Sequence, residues 1–335
     1  MTLIALNHHY VRPLFDHPHP GIHGVTPAQL EAQLRLLATL GTFVSGDQVR
    51  DAIEGGTPLP DHAFIVTFDD GLREQYEHAL PVLRRLGIPA LFFVNTAPVS
   101  TSRVLGVHKV HLTRASLPPA EFVRLLRVEA RACGLTLPWE RVGERAAAQY
   151  ARDTPAGAEA KYLLNSVLSP RDRQCVVDRC FAALFGGRER EIAEQLYMDV
   201  GMMRELSQLG FLGSHAHDHL PLGLLPPDEA RGQLTDSLAL LEAWTGRRPE
   251  ALSYPYGSRE AAPGWVAAVA SDLGFHFAFT MERAANANLS APLQLARFSS
   301  NELPGGKTPA MDAAQLFDAA SPRRWFPEQA RAAAR

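Results

Sequence analysis

Lysine is almost missing from this chain: among 335 residues it stands only at 109, 161 and 307, and the net charge of -3 leaves no basic excess to neutralise a phosphate backbone. No nucleic-acid partner is expected. Cysteine is as scarce. Cys133, Cys175 and Cys180 are odd in number and lack CxxC spacing, so neither a disulfide framework nor a cysteine zinc site is expected, and reduced thiols suit a cytoplasmic protein. No apolar run approaches the roughly 18 residues of a membrane span. The amino terminus enters a strand at once, without a basic segment, apolar stretch and cleavage site, so the expectation is an unexported, cytoplasmic chain. What is present is apolar material: 46% hydrophobic residues can bury one barrel-sized core with an elaboration.

Chemistry concentrates in two places. The apolar stretch Ala63-Phe64-Ile65-Val66 ends in Thr67-Phe68-Asp69-Asp70-Gly71, which brings two carboxylates to the C-terminal end of a strand, where α/β enzymes keep their sites. Adjacent buried acids repel unless a cation or a hydrogen-bond donor holds their charge, and a divalent metal is the simplest such cation. Far downstream the chain reads His215-Ala216-His217-Asp218-His219. Imidazoles at i and i+4 can face one way on a helical turn, and two histidines with one carboxylate recur around catalytic zinc. Asp70, His215 and His219 make that set. Either motif alone reads equally as a solvated turn or a surface pair, so the conjunction carries the inference.

These residues resemble the NodB-homology polysaccharide deacetylases of carbohydrate esterase family 4. The resemblance rests on Thr67 to Gly71 as the TFDDG motif, on His215 and His219 as H-[ST]-x-x-H with Ala216 at the Ser/Thr position, and on Ser253-Tyr254-Pro255-Tyr256-Gly257 as the third motif. It implies Asp69 as catalytic base, Asp70, His215 and His219 as metal ligands, and the Tyr256 main-chain N–H as an oxyanion donor. Ser214 and Asp218 are the candidates to replace the hydroxyl missing at 216. Leu3 to Tyr10 resembles the "YH" opening of permuted members, which implies His8 as the acid that protonates the leaving amine, with His9 as the alternative and His276 as a weaker one. Alternation along a strand lets only one of His8 and His9 look into the site. Gln294 to Phe298 resembles a late strand of those members and makes Arg297 the partner of Asp69. Tyr254, Pro255 and His9 are expected substrate contacts.

The periodicity independently predicts an α/β chain. Helices are expected over 26–40, 45–53, 72–86 (bent at Pro81), 201–209, 227–244 and 262–273, and strands at 3–10, 63–68, 90–94, 211–212, 251–254, 275–280 and 294–298. Such alternation implies a largely parallel barrel. The resemblance makes it a distorted (β/α)7-type barrel, the NodB or glycoside hydrolase–deacetylase fold, over residues 1–306. Residues 96–200 read as a helical insertion, with helices over 120–133 and 171–184, and serve either as a substrate lid or as a homo-oligomer interface. Residues 307–335 are expected as a helical tail. His108 and His111 open the insertion, and His17, His19 and His23 lie in a Pro/Gly-rich loop.

The function implied is removal of an N-acyl, chiefly N-acetyl, group from an amino sugar or glycan. Zinc is the first choice of metal by ligand type, while cobalt, nickel, manganese or iron suit the same donors. Two other readings stay open: an amidohydrolase acting on a small non-carbohydrate amide, and an inactive carbohydrate-binding homologue.

Overall fold

The computed structural model describes residues 1–19, 21–136, 139–150, 154–313, 316, 317 and 325. In chain order the strands are β1 (Thr2–His8), β2 (Tyr10–Val11), β3 (Gly24–Val25), β4 (Thr42–Phe43), β5 (His62–Phe68), β6 (Ala90–Val94), β7 (Leu212–Ser214), β8 (Ala251–Ser253), β9 (Phe277–Phe279) and β10 (Phe298–Ser299). The helices are α1 (Pro27–Ala38), α2 (Gly46–Ile53), α3 (Leu80–Leu86), α4 (Ala97–Thr101), α5 (Gly106–Ser116), α6 (Pro119–Ala132), α7 (Trp139–Gln149), α8 (Pro155–Tyr162), α9 (Pro170–Phe185), α10 (Glu189–Leu196), α11 (Val200–Gln208), α12 (Pro227–Thr245) and α13 (Gly264–Asp272).

The chain divides into two compact units. The first comprises Met1–Pro13, Gly24–Thr101 and Glu194–Arg335; the second comprises Leu14–His23 and Ser102–Ala193. In the first, the sheet runs β10-β1-β5-β6-β7-β8-β9 with β4 added to β5, every pairing is parallel, and β2 pairs with β3 apart from it. Strand side chains split by parity. Leu3, Ala5, Ala63 and Ile65 pack inward with Phe93, Phe279 and Leu295. Val66 and Phe68 pack outward with Leu30, Leu34, Leu80 and Leu83, beneath α1 and α3. α1 and α2 start in reciprocal capping boxes, Thr26 with Gln29 and Ser45 with Gln48. The expected bend at Pro81 takes the form of a π-helical turn, Gln75–Ala79, directly before α3; Pro81 has no N–H to give to an α ladder.

Several strand boundaries differ from expectation, three of them most. The first strand ends at His8 instead of running to Tyr10, the strand expected from 275 shortens to Phe277–Phe279, and the one expected over 294–298 reduces to Phe298–Ser299 with a lone bridge between Phe279 and Leu295. The helical tail expected beyond 307 lies mostly outside the described residues, and 307–313 form no α-helix or strand.

The second unit is helical, with Phe122, Leu126, Val176 and Val177 at its core. Its loop 14–23 docks on α5 through His19 N–H to the Ala115 carbonyl, and Gly21 is set so close that a Cβ would stand 2.3 Å from the Ala115 nitrogen. Lys109, 1% exposed, is held by Asp178 and by Glu189 at 2.8 Å. The expectation of three reduced cysteines is corrected here. Cys133 and Cys175, 42 residues apart, form a disulfide joining the end of α6 to α9, and only Cys180 among the described residues is free. The pairing links two helices that sequence spacing does not relate, and it removes the free-thiol argument for a cytoplasmic setting. Closing a loop of this length stabilises by up to about 4 kcal/mol in the chain-entropy account. Cys133→Ser is therefore expected to lower the unfolding free energy of this unit by about 2–4 kcal/mol, read by chemical denaturation with and without reductant; identical curves would show the bridge is not formed.

Candidate active site

β5 delivers the acid pair. Its ladder with β1 runs through Asn7↔Thr67 and His8↔Phe68, and Asp69 N–H donates to the His8 carbonyl at 3.0 Å. Beyond that point the backbone turns: Asp70 has φ 80° and Gly71 φ 64°. Gly71 fits because it lies against Val94, whose Cβ would be only 3.0 Å from a Cβ at 71.

Asp69 is 2% exposed, and its carboxylate takes three hydrogen bonds. Arg297 donates to both oxygens, at 2.8 Å to Oδ1 and 2.7 Å to Oδ2, and Asn7 Nδ2 donates to Oδ2 at 3.0 Å. Arg297, fully buried, also donates to Thr67 Oγ1 at 3.1 Å and Ser253 Oγ at 2.9 Å. Burial alone would push the Asp69 carboxyl up, but Arg297, then His215 and His9, outweigh it and hold it down at about 2. Arg297 was readable from its place before Phe298, although the residue sits outside a regular strand.

Asp70, His215 and His219 converge from two backbone segments, the turn after β5 and the loop after β7. His215 Nε2 and His219 Nε2 lie 3.5 and 3.4 Å from Asp70 Oδ1, and the three ligand atoms fall within 4.8 Å of one another. Atoms about 2.1 Å from a tetrahedral zinc sit about 3.4 Å apart, so the spacing fits one cation. His215 Nδ1 donates to the Ser253 carbonyl at 2.7 Å, which fixes the tautomer and turns the Nε2 lone pair toward Asp70. Burial lowers the His215 pKa, yet the charges of Asp69 and Asp70 carry it above its ordinary value.

The two histidines are not on a helical turn. They lie in a loop after β7, with φ of 61° at Ala216 and 55° at His219. Side chains hold that loop in place of helical hydrogen bonds. Ser214 Oγ, bonded to Ser237 at 2.9 Å, accepts from Ala216 N–H at 3.2 Å. Gln233 accepts from Asp218 N–H at 2.8 Å and donates to the Asp218 carboxylate at 3.2 Å, and Asn95 donates to the His215 carbonyl. Asn95 and Gln233 carried no motif signal; only their position in the fold reveals them.

Three expected site residues are placed elsewhere. Tyr254 is 1% exposed in the core and donates to the Leu293 carbonyl at 2.8 Å, and Pro255 is buried beside it, so neither is open to a substrate. His276 pairs with Glu54 at 2.6 Å on the surface, before β9, away from the C-terminal strand ends. Tyr256 does border the cluster: its ring, 37% exposed, meets the His219 ring edge to face at 4.8 Å.

Parity separates His8 from His9. Asn7 and Thr67 face the site, so His8, one residue on, faces away; its ring stacks on Phe68 at 5.1 Å. It is 2% exposed, and burial, aided by His9, pushes its pKa down to about 3, which disfavours the imidazolium form. Its burial and its stack on Phe68 favour His9 over His8 for the part of the acid. His9 is exposed, and alternation from Asn7, which donates to Asp69, turns it toward the Asp69 side.

The pattern of the family described as polysaccharide deacetylase matches residues 56–127 and 192–278, blocks that hold Asp69, Asp70, His215, His219 and Tyr256. Poly-beta-1,6-N-acetyl-D-glucosamine N-deacetylase of Escherichia coli (strain K12) is 41% identical over 58 residues, 17% of this chain; the match spans only 8% of that relative's length. Two solved structures share the fold. Streptococcus pyogenes deacetylase PplD, in complex with acetate, has TM-score 0.57 at 14% identity, covering 96% of this chain and 99% of that one. IcaB from Ammonifex degensii has TM-score 0.55 at 20% identity, covering 89% and 91%. The open parallel barrel, which carries an Asp-Asp pair, two histidines and a buried arginine at its strand ends, has the polysaccharide deacetylase type of fold that these two structures share. Over those two blocks the chain is similar to the polysaccharide deacetylase family.

Proposed function

We propose that this chain removes N-acetyl groups from an amino sugar or glycan with the help of a divalent metal. The observation that carries the reading is the pairing of Asp69 with Arg297 next to the Asp70, His215 and His219 cluster: one carboxylate is held ionised as a base while its neighbour converges with two imidazoles. When bound there, a divalent cation, zinc by ligand type, acidifies water and polarises the acyl carbonyl.

The residues do the rest. Asp69, kept anionic by Arg297 and oriented by Asn7, takes the proton of the attacking water. The Tyr256 N–H is assigned to the developing oxyanion. His9, exposed and on the Asp69 side, protonates the departing nitrogen. The product is acetate and a free amine, so a neutral glycan becomes cationic at neutral pH.

The test measures metal content and acetate release on a panel of N-acetylated amino-sugar oligomers, including β-1,6-linked N-acetylglucosamine. Metal with acetate release supports the reading, metal with release only from a non-carbohydrate amide replaces the substrate class, and neither metal nor acetate rejects it. His9→Ala is expected to lower release by about two powers of ten, whereas His8→Phe, which keeps the stack on Phe68, stays within about threefold. The opposite ranking would return the acid to His8.

A further inference from the structure

The parallel ladder between β1 and β5 ends at His8↔Phe68, so the next carbonyls, those of His9 and Asp69, have no strand partner. A single side chain takes both. Gln75, fully buried in the π-helical turn, donates from Nε2 to the His9 carbonyl at 2.9 Å and to the Asp69 carbonyl at 2.6 Å. His9 and Asp69 come from strands 60 residues apart in the chain, and no other side chain among the described residues donates to both of their carbonyls.

We propose that Gln75 is a positioning residue that sets His9 relative to Asp69, and so aligns the proton donor with the base. This rests on the reading of His9 and Asp69 given above. The two ends of the bridge are unequal. Asp69 is fixed independently by Arg297, by Asn7 and by its own N–H to the His8 carbonyl. His9 lies past the end of β1, and the Gln75 amide is the side-chain bond that restrains its backbone. The local fold explains why the amide can reach. A wider π turn, imposed where Pro81 cannot donate, carries residue 75 inward, and Gln75 N–H closes on the Leu72 carbonyl at 3.0 Å. The amide's two N–H groups supply the two donors this junction needs. Loss of Gln75 should therefore free the acid more than the base.

The experiment compares two acetyl substrates on the metal-loaded full chain: an N-acetylglucosamine oligomer, whose amine must be protonated to leave, and 4-nitrophenyl acetate, whose phenolate leaves unaided. Gln75→Met keeps length and removes both donors. The expected result is a fall in kcat on the glycan of up to about 10²-fold, with KM and metal content unchanged and ester hydrolysis within about threefold of the parent. The double variant with His9→Ala is expected to be no worse than His9→Ala alone, because the two act as one unit. Equal loss on both substrates, or losses that multiply in the double variant, overturns the proposal. If Gln75→Met does not fold, Gln75→Glu is measured in its place; failure of both to fold assigns the residue to stability alone and also overturns it. A parent with no acetate release from any glycan sinks the reading of the site, whereas an active parent matched by Gln75→Met sinks only this inference.

Discussion

Asp69→Asn is expected to reduce acetate release by about two to four powers of ten while leaving metal content unchanged. The amide is nearly isosteric with the carboxylate, and its single oxygen can still accept from Arg297 Nη2 and Asn7, while its NH2 gives up the bond from Arg297 Nη1. What it cannot do is take a proton from water. Metal stays because the ligand atoms belong to Asp70, His215 and His219, and Asp69 stands beside them without being one. Asp70→Ala should show the other pattern, with metal and activity lost together. Since Asp69→Asn leaves the Arg297 cation buried opposite a neutral group, rates are to be expressed per folded protein, with the folded fraction from circular dichroism. Release at the parental rate would remove Asp69 from the chemistry.

Much of this site could be read from the sequence, for reasons that differ by residue. The acid pair reads as a site only together with the two histidines downstream, and β5 with its turn is found where periodicity places it. Local pattern fails where the determinant is a partner far away. The HxxxH spacing suggests a helical turn, yet Ser214, Asn95 and Gln233 hold the segment in an irregular loop with two positive φ angles. Alternation says that His8 and His9 face opposite ways without saying which way; the register with β5 decides, because Asn7 is opposite Thr67. Tyr254 lies in a motif, but its hydroxyl is spent on the Leu293 carbonyl in the core. The same limit hides the Cys133–Cys175 bridge and the membership of loop 14–23 in the helical unit, since both are set by packing between distant segments.

The family blocks at 56–127 and 192–278 exclude Arg297 and His9, which help hold Asp69 ionised, and Asn7, which donates to its carboxylate. That dependence makes Arg297→Met a large perturbation of stability as well as of rate. In the parent, Asp69 has a folded pKa of about 2 against an ordinary 3.8. A depressed carboxylate contributes stability above its unfolded value and loses it as pH falls through the folded one. In Arg297→Met the cation is gone and burial, the largest influence on this carboxyl, acts in the opposite direction and raises the folded pKa. The uncompensated charge then costs about 3–5 kcal/mol near pH 7. Below the ordinary value the carboxyl is neutral in the variant's folded and unfolded forms, and that penalty disappears. The stability gap between parent and variant is therefore expected to be widest near neutrality and to narrow as pH falls toward 4 and below. Chemical denaturation in the presence of a chelator, from pH 7 downward, reads this gap without a contribution from bound metal. A gap that stays constant over that range would mean that Arg297 stabilises the barrel by packing, and that the charge of Asp69 is held by something other than its guanidinium.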